Sequence, residues 1–411
     1  LKDEKFYSKL ELLLGEINRR SVSINEENRK ECVKLSLAVI NALLEKLKKE
    51  DPDFKFFFNR ITYVGSFFDG LRISEATEFD INVILKIPCT YEKIRIENCA
   101  NNPGFVRLNV ESATIDQTKL NTLPIGKIWK KWIDENGYLL HNKILSWFES
   151  VLTKISDKGK HNIDCECGTF EVSRNKSGPA STLHISKGNF NIDIDLVPVI
   201  EFPKTMQPPH PVRWLANMAA PWAVVPKPMP DPTLWRLSFP VQEQQIMIGQ
   251  LHLKYINRLL KKFRDANKLG LPSYYIKTLF LWEAFEQKQK NNETFWRKPV
   301  SYLFIYMLVK LADTLEKKSL KFFWQTEMNL YETLGKEQLE NMKGQVKRII
   351  AKINRLLESK DIEQIKAYIF KIFDVDLNEK DKEPLTDMEQ LTKTMSTLST
   401  EDEKNSRCIS Q

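Results

Sequence analysis

No apolar run in the 411-residue chain reaches the roughly 20 residues needed to cross a bilayer. The longest, Tyr302 to Val309, falls far short, so a soluble protein is expected. Cysteine is sparse and unpatterned. The six, at positions 32, 89, 99, 165, 167 and 408, show no framework spacing, which suits a reducing compartment and a cytoplasmic location. His161 with Cys165-x-Cys167 lacks a fourth ligand and the usual paired spacing, so no zinc is expected. There is no internal repeat and, at position 1, no start methionine. Leu1 implies a segment removed from this end or a longer parent protein.

What is present describes a globular chain. Hydrophobic residues at 42% and charged residues at 28% exclude general disorder, and the length allows two lobes around substantial cores. A formal net charge of +8 favours polyanions such as nucleic acid, nucleotides or an anionic membrane surface, although many helical proteins carry as much and bind none.

An apolar stripe at Leu10, Leu12, Leu13, Leu14 and Ile17 predicts an opening helix within residues 1 to 20. A long amphipathic helix follows from about Glu26 to Lys49, with Arg29, Lys30 and Lys34 near its beginning, where a merely solvated face is the plain alternative. Asp51-Pro52-Asp53 stops it. From Phe54 to about Phe202 short strands dominate, interrupted by one helical piece from Ile125 to Ile155 whose Trp129, Trp132 and Phe148 read as core. Proline-rich sequence from Pro203 to Pro232 reads as an irregular connector. Beyond it, helices are predicted over Val241–Asn267, Tyr274–Gln289, Val300–Glu316 and Leu339–Ser359. The expected organisation is a core domain over 1–205, a helical lobe over 206–376 and a flexible tail over 377–411.

Gly65-Ser66-Phe67-Phe68-Asp69-Gly70, followed by Glu78-Phe79-Asp80-Ile81-Asn82-Val83, carries the chemistry. On a strand, residues i and i+2 share a face, so Glu78 and Asp80 project together. Such carboxylates repel unless a cation lies between them, and Mg²⁺ is the hard ion that suits them. Backbone N–H groups around the Gly65-Ser66 turn can cradle a triphosphate. An isolated E-x-D is more often a solvated strand face, and a third carboxylate is what separates the readings. Asn191-Ile192-Asp193-Ile194-Asp195-Leu196 supplies two candidates on one strand face, either of which can complete a cage around two Mg²⁺ ions.

Together these stretches resemble the nucleotidyltransferase family of cyclic GMP-AMP synthase, the cGAS-like receptors and the Mab-21 proteins, from near Arg29 to about Lys352. The resemblance implies an α+β, two-lobed enzyme with a polymerase-β-like mixed-sheet core and a C-terminal helical lobe, its active site in the cleft between them. Its metal ligands are Glu78, Asp80 and Asp195, Asp195 being preferred to Asp193 by the family's spacing to Glu201. It further implies that Gly65 and Ser66 form the activation loop, that Arg236 and Ser238 bond a base edge, and that Glu243 lies near the nucleotides. Lys254 and Ser273 inherit phosphate contacts, and Tyr274 inherits base stacking. Tyr275 is left to helix packing.

Two departures bear on the activator and the base. Glu243 runs to Lys254 without the zinc-binding His/Cys insertion of vertebrate cyclases, and Met247 and Leu251 occupy positions that would carry DNA-contacting lysines. The zinc-free branch resembles animal receptors of which several sense double-stranded RNA, so Arg29, Lys30 and Lys34 become the expected RNA contacts. Val197 replaces a hydroxyl residue near the base. The implied activity joins ATP and GTP, with Mg²⁺ or alternatively Mn²⁺, into a cyclic dinucleotide read by a downstream receptor in innate immune, antiviral signalling, with a homo-oligomer on nucleic acid as a further expectation. The alternatives are a catalytically silent Mab-21-type binding protein and a synthase of linear oligonucleotides. Cys408-Ile409-Ser410-Gln411 formally fits a prenylation ending, a minority expectation of membrane anchoring.

Overall fold

The computed structural model describes residues 1–23, 26–73, 78–115, 124–154, 161–177, 180–188, 190–359 and 361–377. The Cys408 ending and the expected tail from residue 378 lie outside the described residues. The chain forms two compact units, one of Ile24–Gln242 with Lys321–Met328, the other of Leu1–Ser23, Glu243–Leu320 and Asn329–Gln411.

The first unit is built on a mixed ten-stranded sheet of β1 (Phe58–Val64), β2 (Glu78–Leu85), β3 (Arg95–Asn98), β4 (Phe105–Asn109), β5 (His161–Cys165), β6 (Gly168–Ser177), β7 (Ala180–Lys187), β8 (Phe190–Phe202), β9 (Trp222–Val225) and β10 (Trp235–Ser238). The order runs β3-β4-β10-β9-β8-β7-β6-β5, with β2 also on β8 and β1 on β2. β8 organises this arrangement because its 13 residues serve three partners. Its first part pairs antiparallel with β7 and parallel with β2, and its last residues, Ile200 to Phe202, pair with β9. Along β2 burial rises from exposed Glu78 to buried Ile81, Val83, Ile84 and Leu85. The apolar end anchors the strand while the end bearing carboxylates stays open.

Helices cover the sheet. In Glu26–Glu50, Ala38, Val39, Ile40, Leu43, Leu44 and Leu47 are buried. The piece expected as one helix over Ile125–Ile155 is two, Pro124–Lys131 and His141–Thr153. Between them Asp134 Oδ1 accepts from the N–H groups of Asn136 and Tyr138, at 3.0 and 2.8 Å, and Gly137 takes φ +82, a turn that no continuous helix can contain. Trp132, just past the first helix, has its ring centre 4.5 Å from that of Phe57 and 5.0 Å from that of Trp147 of the second, burying the predicted aromatic core.

The helical unit contains Leu10–Ile17, Leu253–Ala266, Ser273–Gln289, Val300–Glu316, Lys336–Ser359 and Ile362–Ile372. Glu11 of the opening helix accepts from the N–H groups of Val300 and Ser301, at 3.0 and 2.8 Å, capping the Val300–Glu316 helix with negative charge where its dipole is positive. Among the described residues no helix is long and apolar enough to cross a membrane.

The α+β class agrees with the sequence reading, but the internal division differs. Proline-rich 203–232 contains β9, and β9 and β10 extend the sheet, so the sheet unit reaches Gln242 rather than 205. Inter-strand hydrogen bonds there outweigh what proline content suggests. The helix expected over Val241–Asn267 is Pro240–Met247 and Leu253–Ala266, with Gly249 at φ +77 between them.

Candidate active site

β1 ends at Val64, paired with Asp80 of β2, and the chain then closes one short helical turn, Gly65–Phe68. Gly65 has φ +80, and a side chain there would overlap the Asp80 carboxylate. Glycine thus meets two demands, a left-handed backbone and contact with an acidic group. Leu71 N–H closes the loop on the Ser66 carbonyl at 2.7 Å. Ser74 to Thr77 lie outside the described residues.

Parallel pairing of β2 with β8 sets Glu78 opposite Asp193 and Asp80 opposite Asp195. On the other side of β8, β7 sets His184 opposite Asp193 and Thr182 opposite Asp195. Two rows therefore cross three strands, Thr182–Asp195–Asp80 and His184–Asp193–Glu78. Thr182 Oγ1 donates to Asp195 Oδ1 at 2.5 Å, while His184 Nδ1 lies 2.5 Å from Asp193 Oδ1. Asp193 is thus occupied by the histidine, and Asp195 adjoins Asp80.

Arg72 pairs with Glu78. The Asp80 carboxyl is pushed up to about 6, first by burial and then by the charges of Glu78 and Asp195, with Arg72 opposing. A carboxyl so placed feels two neighbouring carboxylates against the opposing Arg72, and the side-chain oxygens of those carboxylates are hard donors. That chemistry fits a divalent cation. Among the described residues no three ligating groups stand together as a finished metal cluster. Arg72 engages Oε2 of Glu78, so a cation shared with Asp80 and Asp195 would meet Glu78 beside that guanidinium.

Arg236 and Ser238 lie two apart on β10, hence on one face. Arg236 is 9% exposed and its guanidinium lies 4.0 Å from the ring centre of Phe322 and 5.3 Å from that of Phe105. Lys227, two residues beyond β9, was not among the expected site residues; desolvation lowers its pKa, Arg236 adds to this and Asp80 opposes it, so all three act within one electrostatic neighbourhood. Thr182 and Arg72 were also missed. Alternation of polar and apolar residues in Thr182-Leu183-His184-Ile185-Ser186 is the available signal for the threonine.

The other expected nucleotide residues belong to the helical unit. Glu243 is buried, accepting from Tyr274 Oη at 2.8 Å and pairing with Lys277 at 2.7 Å. Ser273 Oγ accepts from Arg264 Nη1 at 2.9 Å, and Lys254 is half-buried in the first turn of Leu253–Ala266. Tyr275 bonds Thr333 at 2.6 Å and packs near Tyr331, as expected for a helix-packing ring. On the Glu26–Glu50 helix Lys30 and Lys34 are exposed, while the Arg29 side chain lies outside the described residues.

Residues 67–249 match the Mab-21 protein nucleotidyltransferase domain, and residues 252–348 the Mab-21 protein HhH/H2TH-like domain. Three proteins named cyclic GMP-AMP synthase-like receptor are similar over most of their length. That of Aethina tumida is 31% identical over 372 residues, covering 88% of this chain and 92% of the relative. That of Ctenocephalides felis is 30% identical over 383 residues, 87% of each chain. That of Tribolium castaneum is 31% identical over 369 residues, 84% of this chain and 89% of the relative. The chain therefore belongs to the cyclic GMP-AMP synthase-like receptors of the Mab-21 family and is a nucleotidyltransferase.

Proposed function

We propose that the protein joins ATP and GTP into a cyclic dinucleotide in two Mg²⁺-dependent steps when duplex RNA binds, producing a second messenger for a downstream receptor in antiviral defence. The observation that carries this reading is the parallel register of Asp80 with Asp195 beside the Gly65 turn. Glu78, Asp80 and Asp195 would hold the metal, with Mn²⁺ as an alternative and no zinc. When bound, the ion neutralises phosphate charge and activates the attacking hydroxyl. The chain's own residues do the rest. Gly65 and Ser66 offer backbone N–H groups to the triphosphate, Arg236 and Ser238 bond a base edge, and Asp195 accepts the proton of the attacking ribose hydroxyl. Glu243 lies near the nucleotides, Lys254 and Ser273 take phosphate contacts, and Tyr274 stacks on a base.

RNA bound to Arg29, Lys30 and Lys34 acts by ordering the Gly65-Ser66 loop, with oligomer formation on the nucleic acid as a further element. The protein's proposed site of action is the cytoplasm. Purified protein with ATP, GTP and Mg²⁺ should yield a phosphatase-resistant product when duplex RNA is added. Phosphatase-sensitive oligonucleotides would instead identify a linear synthase, and no product with any nucleic acid would favour a silent binding protein.

A further inference from the structure

Lys321–Met328 is an eight-residue loop that belongs to the sheet unit although the chain on either side of it belongs to the helical unit. Its contacts are specific. Gln325 Oε1 accepts from Gly104 N–H at 2.6 Å, Trp324 stacks on Phe239 with ring centres 4.4 Å apart, and the Trp324 carbonyl accepts from Arg213 N–H at 2.7 Å. Phe322 N–H closes the loop on the Met328 carbonyl at 2.8 Å. So anchored, the loop surrounds Arg236. Phe322 lies over its guanidinium, Met328 Sδ touches Nη1, and Gly104, at φ +83, is so close that a side chain there would overlap Nη1.

Arginine is long and rotamer-rich, and reading a base edge requires its planar fork to be held in one orientation before the base arrives. An aromatic face does this without consuming any of the five N–H donors, as a carboxylate would. We propose that Phe322 is a positioning residue for nucleobase recognition, holding Arg236 in the orientation in which it reads the base. The proposal rests on the assignment of Arg236 to the base and adds the element that sets it.

The test uses the full chain with Mg²⁺ and measures calorimetric affinity for the α,β-methylene analogues of ATP, GTP, CTP and UTP, and for inorganic tripolyphosphate. Phe322→Leu keeps apolar bulk and removes the ring face. It should lower the ratio between the tightest and weakest nucleotide about fivefold and leave tripolyphosphate affinity unchanged. Phe322→Tyr should restore the ratio, and Phe322→Leu should add nothing to Arg236→Met. Equal loss of tripolyphosphate binding in Phe322→Leu would show packing alone and overturn the proposal. Discrimination lost in Arg236→Met but kept in Phe322→Leu overturns it while leaving the Arg236 assignment standing. Equal affinity for all four nucleotides in the unaltered protein, or full discrimination in Arg236→Met, overturns the Arg236 assignment and this proposal with it.

Discussion

Thr182 Oγ1 donates to Asp195 Oδ1 at 2.5 Å across the β7–β8 pair, and the next strand brings Asp80 opposite the same aspartate. The hydroxyl holds one carboxylate oxygen and leaves the other for a ligand. Thr182→Val keeps the side chain's shape and removes that donor, so metal affinity should fall about tenfold with little change in thermal stability, whereas Thr182→Ser should retain it. Titration with Mn²⁺ followed by paramagnetic resonance reads this without requiring turnover.

Asp80 has a folded-state pKa of about 6, above its ordinary unfolded value of about 4. Between those values the native state holds a proton that the unfolded state has released. Its contribution is therefore fully present below about pH 4 and is lost as pH rises through about 6. Asp80→Asn should remove this dependence, raise the melting temperature of metal-free protein at neutral pH, and abolish activity. The buried His141 imidazole, lowered by desolvation, acts in the opposite sense, losing stability as pH falls below its ordinary value. The difference between the melting curves of Asp80→Asn and the unaltered protein cancels it.

Metal binding at about pH 6 should also release protons, because the carboxyl must ionise to ligate. Calorimetry in two buffers of different ionisation enthalpy measures the number released, which should shrink towards zero well above that pH. An unchanged heat in both buffers at pH 6 would count against Asp80 as a ligand.

Gly65→Ala introduces a side chain at φ +80 and into the Asp80 carboxylate. A loss of about 1–3 kcal/mol in stability is expected, together with loss of activity, since either the turn or the carboxylate must move. Chemical denaturation gives the first quantity and product formation the second.

Lys277→Met leaves Glu243 buried, with the Tyr274 hydroxyl still donating but the ammonium gone. Breaking one side of such a pair costs about 3–5 kcal/mol, against about 1.5–3 kcal/mol for Tyr274→Phe, which removes one hydrogen bond to the carboxylate. Urea denaturation of both variants should rank them in that order. The reverse order would place the ion pair in solvent.

Much of the site was legible along the chain. Alternation in Glu78-Phe79-Asp80 and Asp193-Ile194-Asp195 places each pair of carboxylates on a strand face, because side chains on a strand alternate with period two. The helices Glu26–Glu50, Ser273–Gln289 and Val300–Glu316 were visible for the same kind of reason, an apolar stripe at helical spacing. A repeat in one dimension says nothing about which strand lies beside which. That Asp195 rather than Asp193 meets Asp80, that Thr182 holds it, that Arg72 neutralises Glu78 and that Phe322 returns to cover Arg236 all depend on pairings between segments remote in sequence. Those pairings are set by burial and hydrogen bonding across the whole sheet, and β9 in the middle of a proline-rich stretch shows them prevailing over local composition. Residue types and periodicity thus carried the chemistry of the carboxylates, while the folded chain alone assigned each carboxylate its neighbour, since only packing brings remote charges within reach of one another.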